Sequence, residues 1–172
     1  MSVLTGQWRL DARLPAGEEL VSNPYHGRYL DGWMREGDAG VVAVAGDRPI
    51  GAAWYRRFSA DEPGYGFLDE SIPEISIAVD AGHRGRGVGT ALLHALCERA
   101  RQDGLGALSL SVEWDNPALR IYRRLGFGEV EGTADACTMR LDLTGRELRS
   151  RGRVRERRPG PASSSGARPR RR

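Results

Sequence analysis

The chain has 172 residues, 40% hydrophobic and 28% charged, with a formal net charge of +3. That length suits one compact domain, and the balance is that of a globular protein, not a disordered or membrane one. No apolar run approaches the roughly 20 residues that cross a bilayer, and the opening MSVLTGQWRLDARL lacks the layout of a secretory signal, so the expected compartment is the cytoplasm. The charge is unevenly divided: Thr144–Arg172 holds eleven arginines and two glutamates, or +9, which leaves −6 on residues 1–143.

In chain order, Met1 to about Asp38 spaces Trp8, Leu10, Leu20, Tyr25, Tyr29, Leu30, Trp33 and Met34 in a way that fits one or two short helices. Val41–Ala45 and Ile50–Phe58 are β-prone runs around Gly46-Asp47-Arg48-Pro49, which predicts an antiparallel hairpin. Ser59–Pro73, with Pro63-Gly64, Gly66 and Pro73, reads as a surface loop. Glu74–Val79 alternates Ile75, Ile77 and Val79 with smaller residues, the period of a strand.

After that strand come Asp80-Ala81-Gly82-His83 and then Arg84-Gly85-Arg86-Gly87-Val88-Gly89. From Val88 the sequence is helix-forming, with Leu92, Leu93, Leu96 and Ala100 on one face and Asp103-Gly104 as its stop. Leu108, Leu110 and Val112 mark a further strand, so strand, glycine loop, helix and strand make a βαβ unit with parallel pairing. Asn116-Pro117 starts a helix that ends at Gly126. Glu129–Glu131 and Cys137–Leu143 read as closing strands. The tail from Thr144 is too poor in apolar residues to offset the entropy of ordering, and disorder is expected there.

Cys97 and Cys137 are far apart and lack CxxC spacing, so they read as buried thiols. His26, His83 and His94 are scattered, and no metal site is inferred. The glycine loop is the feature that carries chemistry. Glycine allows positive φ and close approach of an anion, and the free N–H groups and dipole at a helix N-terminus favour negative charge. The spacing is neither a Walker loop nor the dinucleotide GxGxxG. Glu113 ends the next strand where a ribose-binding acid would sit, but a single βαβ unit preceded by a hairpin does not fit the nucleotide fold.

These residues resemble the GNAT superfamily of N-acetyltransferases. Arg84 to Gly89 matches its [R/Q]xxGxG/A motif without a gap, and Asn116, Ala118, Tyr122, Gly126 and Phe127 in NPALRIYRRLGF are similar to its second element. The two motifs span Glu74–Phe127, and the hairpin Val41–Phe58 fits the family's second and third strands. The family's first strand has no convincing counterpart in Met1–Asp11.

The resemblance implies an α/β (α+β) fold, a mixed, mostly antiparallel sheet flanked by helices around a central parallel βαβ unit. It implies a domain over residues 1–143, followed by the arginine-rich tail 144–172. It also implies acetyl-CoA as co-substrate and a primary amine as acceptor. Acetyl-CoA would lie along Ile77, Ala78 and Val79, with its pyrophosphate on Arg84, Gly85, Arg86, Gly87, Val88, Gly89 and Thr90, and with contacts from Asn116 and Tyr122. A backbone N–H of Ala78 or Val79 would hold the oxyanion. Tyr122 would protonate the leaving thiolate, and Glu74 would be the base, with Asp69 and Glu70 as alternatives. The competing reading is a non-catalytic acyl-CoA-binding module whose tail contacts nucleic acid. Neither reading names the acceptor or the oligomeric state.

Overall fold

The computed structural model describes residues 2–6 and 27–145. Among them lie seven strands, β1 (Ser2–Gly6), β2 (Ala39–Ala45), β3 (Arg48–Arg56), β4 (Glu74–Val79), β5 (Ala107–Glu113), β6 (Gly128–Gly132) and β7 (Ala136–Asp142), and two helices, α1 (Val88–Gln102) and α2 (Leu119–Leu125). The strands form one sheet in the order β1-β2-β3-β4-β5-β7-β6. Every neighbouring pair is antiparallel except β4 and β5, which run parallel with α1 between them. This is the mixed sheet that the resemblance implies, built around the one βαβ unit that the sequence pattern predicts.

The hairpin turn is tighter than its sequence suggests. Gly46 takes φ 60°, as short hairpin turns require, and Arg48 and Pro49 already belong to β3. Pro49 is tolerated because it lies opposite Val44, where the register shifts by a bulge and no regular ladder bond from its nitrogen is needed.

The first family strand is present, against expectation. β1 is only five residues long and shows no strict apolar alternation, so its signal is in the partner: it pairs with β2 from Ser2↔Val44 to Gly6↔Gly40. The helices expected before Asp38 fall largely on residues 7–26, and most of the arginine-rich tail follows Gly145. Both lie outside the described residues.

α1 buries Val88, Leu92, Leu93, Leu96, Cys97 and Ala100 against the sheet, each full-sized aliphatic side chain contributing about 1.5–3 kcal/mol of apolar transfer. It stops at Asp103 and Gly104, which takes φ 74°. α2 begins later than Asn116-Pro117 suggests. Asn116 Oδ1 accepts from the Ala118 amide at 2.9 Å, and the helix follows at Leu119, so Pro117 precedes it instead of filling its first position. Gly126, at φ 98°, ends it. Cys97 and Cys137 are free and buried, and Phe127 packs in the same core.

The opposite face of the sheet is covered by the segment 27–38, and a buried cation holds it there. Arg56 is fully buried and pairs with Asp38 through Nε to Oδ1 (3.1 Å) and NH2 to Oδ2 (2.6 Å). Its remaining nitrogen donates to the carbonyls of Arg28 (2.7 Å) and Asp31 (2.8 Å). Removing one partner of such a pair leaves a buried charge and costs about 3–5 kcal/mol. Trp54 adds a bond from Nε1 to the Tyr29 carbonyl (3.2 Å). No helix among the described residues is long and apolar enough to cross a membrane.

Candidate active site

For most of its length β4 is paired on one edge only. Its ladder with β3 runs from Arg56↔Glu74 to Gly51↔Val79, and the Asp80 amide continues it to the Ile50 carbonyl at 2.9 Å. Backbone groups alternate along an antiparallel ladder, so those of Glu74, Ser76 and Ala78 face β3 and those of Ile75, Ile77 and Val79 face β5. Towards β5 there is a single bridge, Glu74↔Ser109, where the Ser109 amide donates to the Pro73 carbonyl at 3.0 Å. Beyond that bridge the strands part, and the amides of Ile77 and Val79 border a wedge that opens towards Val79. The amide of Ala78, one of the two oxyanion candidates, is directed into the β3 ladder.

The open end of the wedge leads into the glycine loop. Gly85 and Gly87 take φ 71° and 81°, and a Cβ at either would meet nothing within 4 Å. Glycine is therefore needed for the backbone conformation, and the space beside it is free for a ligand. Gly87 is the N-cap of α1, whose first turn holds no acidic residue. Among the described residues no backbone carbonyl accepts from the amides of Gly85 to Thr90. Unpaired N–H groups at a helix start form an anion site. Arg86 is exposed, whereas Arg84 turns back, its Nε donating to the Val79 carbonyl at 3.1 Å, and so secures the rim of the wedge.

At the closed end stands Glu74, 4% exposed. Tyr29 donates its hydroxyl proton to Glu74 Oε1 (2.8 Å) and accepts from the Tyr65 amide (2.8 Å). Oε2 has no hydrogen-bond partner among the described residues. Burial pushes the carboxyl up to about 7, against the opposing pull of the Tyr29 hydroxyl, the Gly66 amide and the Arg28 charge. The loop Ser59–Pro73 presses on this group: a Cβ at Gly64 would collide with Glu74 Oε2 and the Phe58 ring, and one at Gly66 with the Leu110–Ser111 peptide. The alternatives Asp69 and Glu70 are exposed and serve the loop itself, Asp69 accepting from Ser71 (2.8 Å) and Glu70 from the Ala60 amide (3.2 Å).

Tyr29 also packs edge-on against Phe58 (centroids 5.0 Å) and stacks with Tyr65 (6.2 Å). Beside this trio a cleft of about 490 Å³ is lined by Arg28, Asp31, Phe58, Asp61, Glu62 and Pro63, among others. Tyr122 lies in the core that α1 shares, 7% exposed and edge-on to Phe127 at 5.8 Å. Burial alone pushes its phenol up to about 12. Glu74, by contrast, alternates with core-facing Ile75 and points to the other face, so the sheet separates the two candidates. Tyr29, Gly64 and Gly66 were not legible as site residues: the sequence shows only an apolar position and two loop formers.

A family model described as the acetyltransferase (GNAT) family matches residues 7–127. The chain belongs to the GNAT family of acetyltransferases. Among GNAT proteins, it is 34% identical over 111 residues to an L-methionine sulfoximine/L-methionine sulfone acetyltransferase of Pseudomonas aeruginosa, covering 62% of this chain and 63% of that one. It is 46% identical over 112 residues to the streptothricin acetyltransferase of Streptomyces lavendulae, covering 64% and 47% respectively. The chain thus spans less than two thirds of the length of these relatives. Of solved structures, the ribosomal-protein-S18-alanine N-acetyltransferase of Escherichia coli shares the fold, with a TM-score of 0.62, 20% identity, and coverage of 86% of this chain and 98% of that one. yncA of Salmonella typhimurium, solved with its cofactor acetyl-CoA, gives a TM-score of 0.54 at 26% identity, covering 71% of each chain.

Proposed function

We propose that this GNAT-family chain moves an acetyl group from acetyl-CoA to a primary amine of a small molecule. The observation that carries the reading is the wedge between β4 and β5, with an anion site at its open end and a buried carboxyl of raised pKa at its closed end. Acetyl-CoA supplies an activated thioester; the chain supplies the groups around it. The amides of Gly85 to Thr90 would hold the pyrophosphate, and the outward amide of Val79 would pair with the pantetheine arm as an added strand does. Asn116 already caps its own turn through Oδ1, which leaves its side-chain NH2 for the same arm.

Strand geometry supports one of the amides that could hold the oxyanion. At about 3.3 Å per residue, Val79 lies roughly 16 Å from Glu74 along β4 and Ile77 roughly 10 Å. A base and an oxyanion donor must serve one reacting carbon, so the Ile77 N–H fits the role better than Ala78 or Val79. Glu74, titrating near neutrality, suits acceptance of a proton from an ammonium or through a water. Tyr122, held protonated by burial, is the proton donor assigned to the leaving thiolate.

The cleft beside Glu74 is the acceptor's entrance in this reading: Arg28 both lines it and acts on the Glu74 charge, and Pro63 precedes the Gly64 that abuts Oε2. Its three carboxylates, Asp31, Asp61 and Glu62, outnumber its two guanidiniums, Arg28 and Arg35, and would favour a cationic amine. The test is thiol release from acetyl-CoA with L-methionine sulfoximine, L-methionine sulfone and streptothricin heading a wider amine panel. At least one amine should raise release well above hydrolysis, and Glu74→Gln should lower that rate by about 100-fold or more. Release at background with every amine, alongside tight CoA binding, would instead support the non-catalytic acyl-CoA module.

A further inference from the structure

We propose that Tyr29 is the positioning residue of Glu74, clamping Oε1 through its hydroxyl so that Oε2 is the oxygen left to take a proton. The inference deepens the acetyltransferase reading and rests on Glu74 as its base. Three observations lead to it. The Tyr29 hydroxyl is held from both sides, accepting from the Tyr65 amide and donating to Glu74 Oε1, each at 2.8 Å. Because its lone proton is directed at the carboxylate, the bond is strongest when Glu74 is charged. Glu74 Oε2 is buried without a hydrogen-bond partner among the described residues, and the glycine beside it presents no side chain to that atom.

Tyr29 is itself placed by interactions that have nothing to do with Glu74. Its carbonyl accepts from Trp54 Nε1, its ring is packed by Phe58 and Tyr65, and the turn it belongs to is tied to the buried Arg56 through the Arg28 and Asp31 carbonyls. A side chain fixed on this many sides holds its hydroxyl without further loss of rotamer freedom, which is what a positioning group needs.

The groups that face Glu74 from each neighbouring element are few. The segment 27–38 brings Tyr29 and Arg28, and the loop brings the Gly66 amide and, behind Tyr29, Tyr65. β3 places Arg56 opposite Glu74, but Asp38 neutralises that guanidinium. β5 contributes Ser109, fully buried, whose hydroxyl has no hydrogen-bond partner among the described residues. Of these side chains, Tyr29 donates a direct hydrogen bond to the carboxylate. Burial and the Glu74 charge hold its own phenol far above the ordinary tyrosine range, so it remains a donor wherever Glu74 titrates.

The test is a titration of the carboxyl carbons of glutamate-labelled protein by NMR, with Glu74→Gln identifying the Glu74 signal. In the parent that signal should titrate near 7. Tyr29→Phe should raise its midpoint by about one unit, the loss of a charge-assisted hydrogen bond. Tyr29→Leu serves as a second variant if the phenylalanine chain does not fold, and, lacking any donor, it should raise the midpoint likewise. An unchanged midpoint in a folded variant overturns the positioning role. The base reading is judged separately: if Glu74→Gln keeps the parent's rate of thiol release with L-methionine sulfone or another amine that the parent accepts, Glu74 is no base and both inferences fall. If Glu74→Gln is inactive but the midpoint is unmoved, only Tyr29's role falls.

Discussion

A carboxyl group whose pKa rises on folding favours the folded state while it is protonated and opposes it once charged. Glu74 goes from an ordinary value of 4.5 to about 7 because burial removes water from its charge. Its contribution to stability is therefore complete below about pH 4.5 and lost as pH rises through about 7. Glu74→Gln removes a group that titrates and leaves one that does not. Between about pH 5 and about pH 8 the parent should lose about 2 kcal/mol more stability than the variant, at 1.36 kcal/mol per pKa unit. Urea unfolding at the two pH values measures the difference, and equal losses would mean that the carboxyl is not perturbed. On the proposed reading, a base ready at neutral pH is thus kept at the expense of the fold.

At the scale of elements, most of what builds the site is visible in the sequence because it depends on local rules. β4 and α1 follow from the period of Ile75, Ile77 and Val79 and from the apolar face through Leu92, Leu93, Leu96 and Ala100. The loop between them follows from glycines that only φ near 71° and 81° explains. What was hidden depends on partners distant in sequence. Residues Ser2–Gly6 become a strand because β2 offers an edge, and Tyr29 becomes a site residue because Arg56, 27 positions later, holds its turn. Glu74 stands out in the sequence only by its place at a strand start, and its burial comes from Gly64 and Tyr29, which no local pattern links to it. The loop also yields a direct expectation. Gly87→Ala forces an alanine into the left-handed region at about 1–2 kcal/mol and places a methyl group beside the free amides of the α1 N-terminus. Thermal unfolding should shift down by a few degrees, and the KM for acetyl-CoA should rise by about tenfold while kcat changes little. An unchanged KM would place the anion elsewhere.

At the scale of the molecule, the sheet is two antiparallel halves joined by one parallel bridge, Glu74↔Ser109, together with the shared core under α1 and α2. A continuous parallel pairing would use the outward groups of Ile77 and Val79; stopping it after one bridge leaves their amides facing the wedge, and the buried faces of α1 and α2 keep the halves together without it. This arrangement has a signature in hydrogen exchange, since amides in a ladder are protected and amides facing an open wedge are not. In the free protein the amides of Ile77 and Val79 should exchange at least about tenfold faster than those of Ser76 and Ala78, which point into the β3 ladder. Adding CoA should slow Ile77 and Val79 and leave Ser76 and Ala78 nearly unchanged, read residue by residue by NMR. If the four amides are alike in the free protein, the wedge is closed in solution. If Ile77 and Val79 differ from their neighbours but do not respond to CoA, the arm of the donor does not run along β4, and the anion site at Gly87 serves some other phosphate.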